Sequence, residues 1–522
     1  MKGIKEKNVL SKTALIVAIA FAISLLPIIY VGLHNYTSGD DFWYGAHTYQ
    51  GWLKDGLIGA LKGSLQTVAE FYESWQGTWF TMFLFTLSPN HFWKDGYVIV
   101  VFISLGCLIG SISYLADYYL VKKLNFTKGA ATIVVCMVSY LALQYIPRTT
   151  SGIYWFNGVM HYSIPLLLGI FAVIHSHKFI DSKKRKDYII LFICFTLLGG
   201  GSYLAPLAAT LAVLLLLICR LEVTEFNWKN KKINIKYDRK NLWILLAIAA
   251  ELIGLIISFK APGNRVREEQ FGGGLKWALQ CVYYAIDRGI YLGEDYFLKN
   301  AVTTVVYIIL AVLIWNQLWR VKKEKIKFRF PLLFVIYMNG IYWSTYTPEI
   351  YSRSSVSGGV PNTYFHIFLM ITLANMVYVH GWLQEKLIMY WKKKAVSQGD
   401  SFENIRDNSI LYYKKYEKCA QIPMIILGCI GFILVSALSE NITTNEYCMK
   451  CITDGSLKKY VEVREKQDEL LIGTQERVVT VPEIEAPYPL LHMIMNGSGN
   501  GSQNIDRALY YDKDIIYAEM IE

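Results

Sequence analysis

Thr13-Ala14-Leu15-Ile16-Val17-Ala18-Ile19-Ala20-Phe21-Ala22-Ile23-Ser24-Leu25-Leu26-Pro27-Ile28-Ile29-Tyr30-Val31-Gly32-Leu33 carries no charge, and Ser38-Gly39-Asp40-Asp41-Phe42-Trp43-Tyr44 follows it closely. The first stretch is long enough to cross about 30 Å of hydrocarbon as a helix. It lacks a small-residue cleavage site before the polar Asn35 to Asp41 segment, so it reads as a retained span and not as a removed leader. The second stretch sets two adjacent carboxylates where that span ends. Neighbouring carboxylates at a membrane surface resist ionising together, so one tends to hold its proton or the pair shares a cation. Such a pair suits a general base, and Trp43 and Tyr44 beside it suit stacking on a sugar ring or a place at headgroup level. The plainer reading is that the aspartates open a helix, since Asp is a favoured residue at helix starts.

The same pattern of long apolar runs continues through the chain. Of 522 residues, 54% are hydrophobic and 18% charged, with mean hydropathy +0.30, outside the range of soluble domains. Runs at 13–33, 97–120, 130–147, 162–177, 188–203, 205–219, 243–259, 301–319, 331–346, 363–383 and 421–439 predict an all-α polytopic membrane protein of about eleven transmembrane helices. The fifth and sixth runs meet at Gly199-Gly200-Gly201 and suit a tight hairpin or a re-entrant pair.

Most of the 52 Lys and Arg fall in segments such as Lys2 to Lys12, Lys178 to Lys186, Arg220 to Lys240 and Lys386 to Lys418. These lie on one side if the spans alternate, which places the N-terminus in the cytoplasm and residues beyond 440 on the outer side of the membrane. The formal charge of +11 is then accounted for by topology and anionic lipid, and nucleic acid is not needed as a partner. The chain divides into a transmembrane part, 1–440, and a small extracytoplasmic α/β appendage, 441–522. In the appendage Leu457 to Leu471 predicts a helix and Arg477 to Pro482 a strand. Nine cysteines are mostly scattered in spans; the one pattern, Cys448-Met449-Lys450-Cys451, reads as a local disulfide or two spectator thiols, because zinc wants four ligands.

Five segments then share the outer face: about 34–96, 148–161, the glycine hairpin, about 260–300, and 347–362. In the first, Trp52 to Leu61 has apolar residues at helical spacing with Lys54 and Lys62 opposite, which predicts an amphipathic helix lying in the interface. Chemistry on a lipid phosphate needs a carboxylate to take the acceptor's proton and cations for the departing phosphate. Arg148, Arg265, Arg267 and Arg353 lie near the outer ends of spans, and a guanidinium fork binds phosphate bidentately; arginines there also snorkel to headgroups. Glu251, inside a span, is an ionisable group of the kind that marks function or bonds a neighbouring helix.

Asp40-Asp41, Trp75-Gln76-Gly77-Thr78-Trp79, Trp155-Phe156-Asn157-Gly158, Ala261-Pro262-Gly263-Asn264 with Arg267, and Asn504 to Tyr511 resemble, in this order, bacterial integral-membrane glucosyltransferases related to O-antigen glucosyltransferases. These are GT-C enzymes, polytopic proteins that take sugar from a polyprenyl-phosphate carrier. The chain departs from the pattern at Thr78, where relatives often carry an Arg. The resemblance implies an inverting transfer to a glycan or teichoic-acid-like acceptor, with Asp40 as base and Asp41 second. It implies Arg267, with Arg353, Arg148 or Arg265, on the donor phosphate. Trp43, Tyr44, Glu73, Trp75, Trp79, Trp155, Asn157, His161 and Asn264 would line the sugar and acceptor sites. A divalent Mg or Mn, used by some such enzymes, would be held by Asp40, Asp41 and Glu73. A secondary transporter, and a polysaccharide polymerase or ligase, are the competing classes.

Overall fold

The computed structural model describes residues 2–227, 232–264, 275–319, 327–352, 358–398, 442–491, 494–495 and 501–519. Among these, six helices are long and apolar enough to cross a membrane: Leu10–Leu33, Gly96–Lys123, Phe156–Ser182, Arg239–Phe259, Ala301–Leu318 and Val360–Lys394. The chain is a multi-pass, largely helical membrane protein. Four more of the expected runs form shorter helices, Lys128–Gln144, Arg185–Leu198, Leu204–Ile218 and Pro331–Ser344; the run at 421–439 lies outside the described residues.

The helices Arg185–Leu198 and Leu204–Ile218 do not close on each other as a hairpin. Each packs instead on Ile164–Ser182, and Arg185–Leu198 also packs on Trp243–Phe259. The second contact is close because Gly199 and Gly254 bring the two backbones together, where a Cβ on either glycine would meet the other's backbone.

The segment after the first span is where sequence expectation and structure part. Asp40–Ser74 is one long helical element broken at Asp55 and Gly56, with Gly56 at φ 60. A residue with a side chain is strained there, so glycine makes the turn. Trp52 to Leu61 is therefore not one flat amphipathic helix but the bend of an antiparallel helical hairpin. Its arms approach to backbone contact at Gly51, Gly59 and Gly63, and Thr48 Oγ1 lies 3.0 Å from Ser64 Oγ across the seam. Helical spacing in the sequence survives the bend because Leu53 and Leu57, Leu61 and Leu65 keep one exposed stripe on either side of it, while Phe42, Ala46, Ala60 and Phe71 are buried. The tip carries Leu53, Leu57 and Ile58, each about two-thirds exposed or more.

A two-stranded antiparallel hairpin, Glu222–Asn227 with Lys232–Lys236, adds an unexpected strand pair to the basic segment between two helices. After residue 441 the chain folds as helices Thr444–Thr453 and Ser456–Gly473, a parallel pair of strands Val478–Pro482 and Ile515–Glu519, and helix Ser502–Tyr510. The helix and the strand read from the sequence are both present. Thr443 starts the first helix with a capping box to Glu446. Cys448 and Cys451 are both buried free thiols on that helix, so no disulfide joins them. Cys448 Sγ sits 3.3 Å from Tyr154 Oη, and burial pushes its thiol up to about 12, which leaves it inert. Thr444 Oγ1 donates to Leu143 O at 2.7 Å, so the apolar core of the tail is continuous with that of the helical bundle.

Candidate active site

Asp40 and Asp41 open the hairpin behind Gly39, and one helical step turns them to different fates. Asp40 is exposed, whereas Asp41 has no solvent-accessible surface at all. The Tyr97 hydroxyl donates to Asp41 Oδ2, the Ser38 backbone N–H donates to the same oxygen at 3.3 Å, and the Asn157 backbone N–H donates to Oδ1 at 3.4 Å. Tyr97 in turn accepts from the Phe156 N–H at 3.0 Å. One carboxylate thus ties the segment after the first span to the beginning of two further spans, Gly96–Lys123 and Phe156–Ser182. Burial pushes Asp41 up to about 7, against the lowering pull of its hydrogen bonds, and the charge of Asp40 raises it further. Asp41 thus anchors the start of the helix that carries Asp40. It shapes the ground on which Asp40 stands.

The chain around Asn157 is held in an irregular form, between π-helical turns Thr150–Tyr154 and Val159–Ser163. Turns of that kind favour functional positions because they re-aim side chains at a small cost in backbone bonding. The Asn157 side-chain amide is buried and has no hydrogen-bond partner among the described residues at either its oxygen or its nitrogen. A buried amide left unpaired costs stability, and structures that keep one commonly use it on a ligand.

The tail supplies a third wall. Helix Ser502–Tyr510 lies on the first arm of the hairpin: Tyr49 stacks on Tyr510 at 4.3 Å, Phe42 meets Tyr510 edge-on at 5.2 Å, and the Gln50 amide donates to Leu509 O at 2.6 Å. Arg507, fully buried, sits 5.1 Å over the Phe42 ring and donates to Gln467 Oε1 at 2.6 Å and to Asp468 Oδ1 at 3.3 Å. The residue before it, Asp506, is pushed up to about 7, first by burial and then by the charge of Asp40. Asp506 is thus a second acidic group facing Asp40. His91 joins the same wall through Tyr510, whose oxygen is 2.9 Å from Nδ1, and burial drives its imidazole down to about 3, so it stays neutral.

The remaining residues singled out in the sequence divide by their contacts. Trp43 meets Phe71 at 4.5 Å and Trp75 at 6.0 Å and is half-buried at the site edge. Tyr44 is a core residue, packed on Phe71 and Phe85, and so has no free ring face to offer a sugar. Trp75 to Trp79 packs under the Ala261 to Asn264 turn: Gly77 approaches Ser258 and Ala261 so closely that a Cβ would collide with both, and the Ser258 hydroxyl donates to Gly77 O at 2.7 Å. Trp79 lies on Gly200, which brings the glycine segment to the same place. The Asn264 amide is spent on the end of the preceding helix, donating to Ser258 O at 2.8 Å and Phe259 O at 3.1 Å, so it caps that helix and its nitrogen does not reach for sugar.

His161 Nδ1 lies 3.0 Å from Thr81 Oγ1. Trp155 is half-buried next to Phe156. Arg148 is exposed, and its backbone is clamped by Asn362, which accepts from its N–H and donates to its carbonyl, both at 2.8 Å. Arg265, Arg267 and Arg353 lie outside the described residues. Glu73 is exposed on the second arm. Among the described residues no three His, Cys, Asp or Glu side chains gather as a metal site, so Asp40, Asp41 and Glu73 do not form the proposed cage. The reason is the inward turn of Asp41 onto Tyr97.

Sequence reasoning missed Tyr97 and Asp506. Tyr97 offers only a faint signal, a hydroxyl at the first turn of an otherwise apolar span, and Asp506 is one carboxylate within the Asn504 to Tyr511 element that no spacing sets apart. No protein-family model matches this chain, and no curated protein matches it.

Proposed function

We propose that this protein is a GT-C-type inverting glycosyltransferase, which moves a sugar from a polyprenyl-phosphate carrier to a cell-envelope glycan or teichoic-acid-like polymer at the outer face of the bacterial plasma membrane. The observation that carries the reading is convergence. Asp41 bonds to Asn157, Trp75 to Trp79 packs under Ala261 to Asn264, and the Asn504 to Tyr511 element covers Phe42 beside Asp40. Three motifs far apart in sequence thus meet at the helix start that carries the exposed Asp40, and the other two pack on each other and join them where Trp43 meets Trp75 at 6.0 Å.

In this reading Asp40 takes the proton of the acceptor hydroxyl as its oxygen attacks the anomeric carbon. A new carbon–oxygen bond forms on one face while the bond to the phosphate oxygen breaks on the other, and the polyprenyl phosphate leaves with the bonding pair. Beyond burial, the charge of Asp40 reaches Asp506 and helps to hold its carboxyl up, so a second acidic side chain accompanies the base. Asp41 holds the helix start in register and is a positioning residue. Arg267, with Arg353 or Arg148, would meet the charge on the leaving phosphate. The orientation, N-terminus inside and residues beyond 441 outside, belongs to this proposal.

A transporter would be expected to set its buried ionisable group on a central cavity. Glu251 instead accepts from Thr210 Oγ1 at 2.7 Å and does not line the cavity described below.

The test is purified protein with a defined polyprenyl-phosphate sugar and acceptor, reading glycan product and released polyprenyl phosphate. Asp40→Asn, which keeps shape and removes the proton acceptor, lowers turnover by roughly a hundredfold or more without changing expression. Parent-like turnover in that variant refutes Asp40 as base, and solute accumulation in vesicles without product refutes the enzyme class.

A further inference from the structure

A cavity of about 1220 Å³ lies between the helices Gly96–Lys123, Lys128–Gln144, Ile164–Ser182, Leu204–Ile218, Pro331–Ser344 and Val360–Gln398. It exceeds the roughly 300–1,000 Å³ of ordinary small-molecule sites. Its walls are apolar and made of small or aliphatic side chains, among them Leu166, Gly169, Ala208, Ala212 and Ile371.

Its lining carries four basic side chains, Lys122, Lys123, Arg220 and Lys327, each at or just beyond the end of a lining helix, and one carboxylate, Asp181. Lys123 and Arg220 both bind Asp181, the latter at 2.6 Å, and Lys122 reaches Asp117 at 2.5 Å. Lys327 is exposed and has no ion-pair partner among the described residues. The rim therefore keeps a surplus of positive charge.

The rim is not at the end that holds Asp40. The span Gly96–Lys123 begins at Tyr97 on the carboxylate site and finishes at Lys122 and Lys123 on the rim. A helix of 28 residues separates them by about 40 Å. Basic residues at a span end commonly snorkel to headgroups from the outside of a bundle. Here they ring the opening of an apolar chamber inside it. A lipid chain gains little by exchanging bilayer for an apolar protein wall, so selection at such a site falls to the headgroup.

We infer that the cavity binds a lipid phosphate drawn from the leaflet opposite the carboxylate site, with its chains inside and its anionic headgroup on the Lys122, Lys123, Arg220 and Lys327 rim. The inference stands apart from the glycosyltransferase reading, since neither Asp40 nor a sugar donor takes part.

The experiment uses the full chain in nanodiscs of phosphatidylcholine doped with phosphatidylglycerol, with retained lipid counted by native mass spectrometry after release. The parent retains phosphatidylglycerol in preference to phosphatidylcholine, and Lys327→Glu weakens that preference by roughly tenfold or more. Ala212→Phe, which fills the chamber, lowers retention of both lipids. Because Lys327 is exposed, its substitution tests the rim even where the filled variant fails to fold. Inorganic phosphate, added as the free ion, leaves retention unchanged. Equal retention of the two lipids by the parent, or an unaltered preference in Lys327→Glu, overturns the inference. Displacement by inorganic phosphate overturns the lipid as ligand and assigns the rim to a soluble anion.

Discussion

Asp41→Asn separates the two aspartates most sharply, because its effect on stability should change with pH in a known direction. The carboxylate is wholly buried and accepts from Tyr97, Ser38 and Asn157. An amide offers one acceptor oxygen and turns an NH₂ toward donors that met the other. Losing a hydrogen bond to a charged group costs about 1.5–3 kcal/mol. Opposing this, burial raises Asp41 from 3.8 to about 7, and about three pKa units correspond to roughly 4 kcal/mol borne by the ionised form. Between those two values the folded protein keeps a proton that the unfolded chain has lost. This contribution to stability is therefore fully present below 3.8 and is lost as pH rises through about 7. The amide does not titrate, so the parent's advantage over Asp41→Asn is greatest in acid and shrinks toward neutral pH, levelling off above it. Asp506 is raised in the same direction and is present in both proteins, so it largely cancels in the comparison. Apparent melting temperature in detergent, followed across the acid and neutral range for both proteins, reads the difference directly. An advantage that stays constant with pH, or grows as pH rises, refutes the assignment of Asp41 as a buried, proton-holding anchor.

Gly77→Ala places a methyl against the Ser258 carbonyl and the Ala261 side chain, so the turn and the helix end must part. Melting falls by the equivalent of about 1–3 kcal/mol and turnover falls with it; an unchanged melting temperature would mean that the two motifs do not bear on each other. For topology, Lys62→Cys and Lys458→Cys in a background cleared of reactive native thiols label with an impermeant reagent added outside intact cells, and Lys184→Cys does not. Labelling of Lys458→Cys only after permeabilisation puts the tail in the cytoplasm and removes the single outer face.

The spans were readable because hydropathy is a sum over some twenty residues and tolerates local error. The bend at Gly56 was not, since a lone positive φ interrupts the chain without interrupting its helical spacing. Asp40 and Asp41 could be marked as a pair from their place after the first span. Which of them meets solvent could not, because Tyr97 and the Asn157 N–H, distant in sequence, draw in one and leave the other. Tyr44 and Asn264 show the same lesson from the opposite side. Their residue types suit sugar binding, yet neighbours that sequence does not reveal use Tyr44 as packing and the Asn264 amide as a helix cap.

The covering of Phe42 and Tyr49 by the Ser502–Tyr510 helix also orders events in time. Gln50 waits for Leu509 across 459 residues, and His91 for Tyr510 across 419. Loops of that length close late, after local contacts have formed. During synthesis the helical bundle can therefore be in place in the membrane while the neighbourhood of Asp40 still stands open. A chain arrested before residue 502 is then a well-inserted membrane protein with an unfinished site, so insertion and competence are separate milestones in its biogenesis.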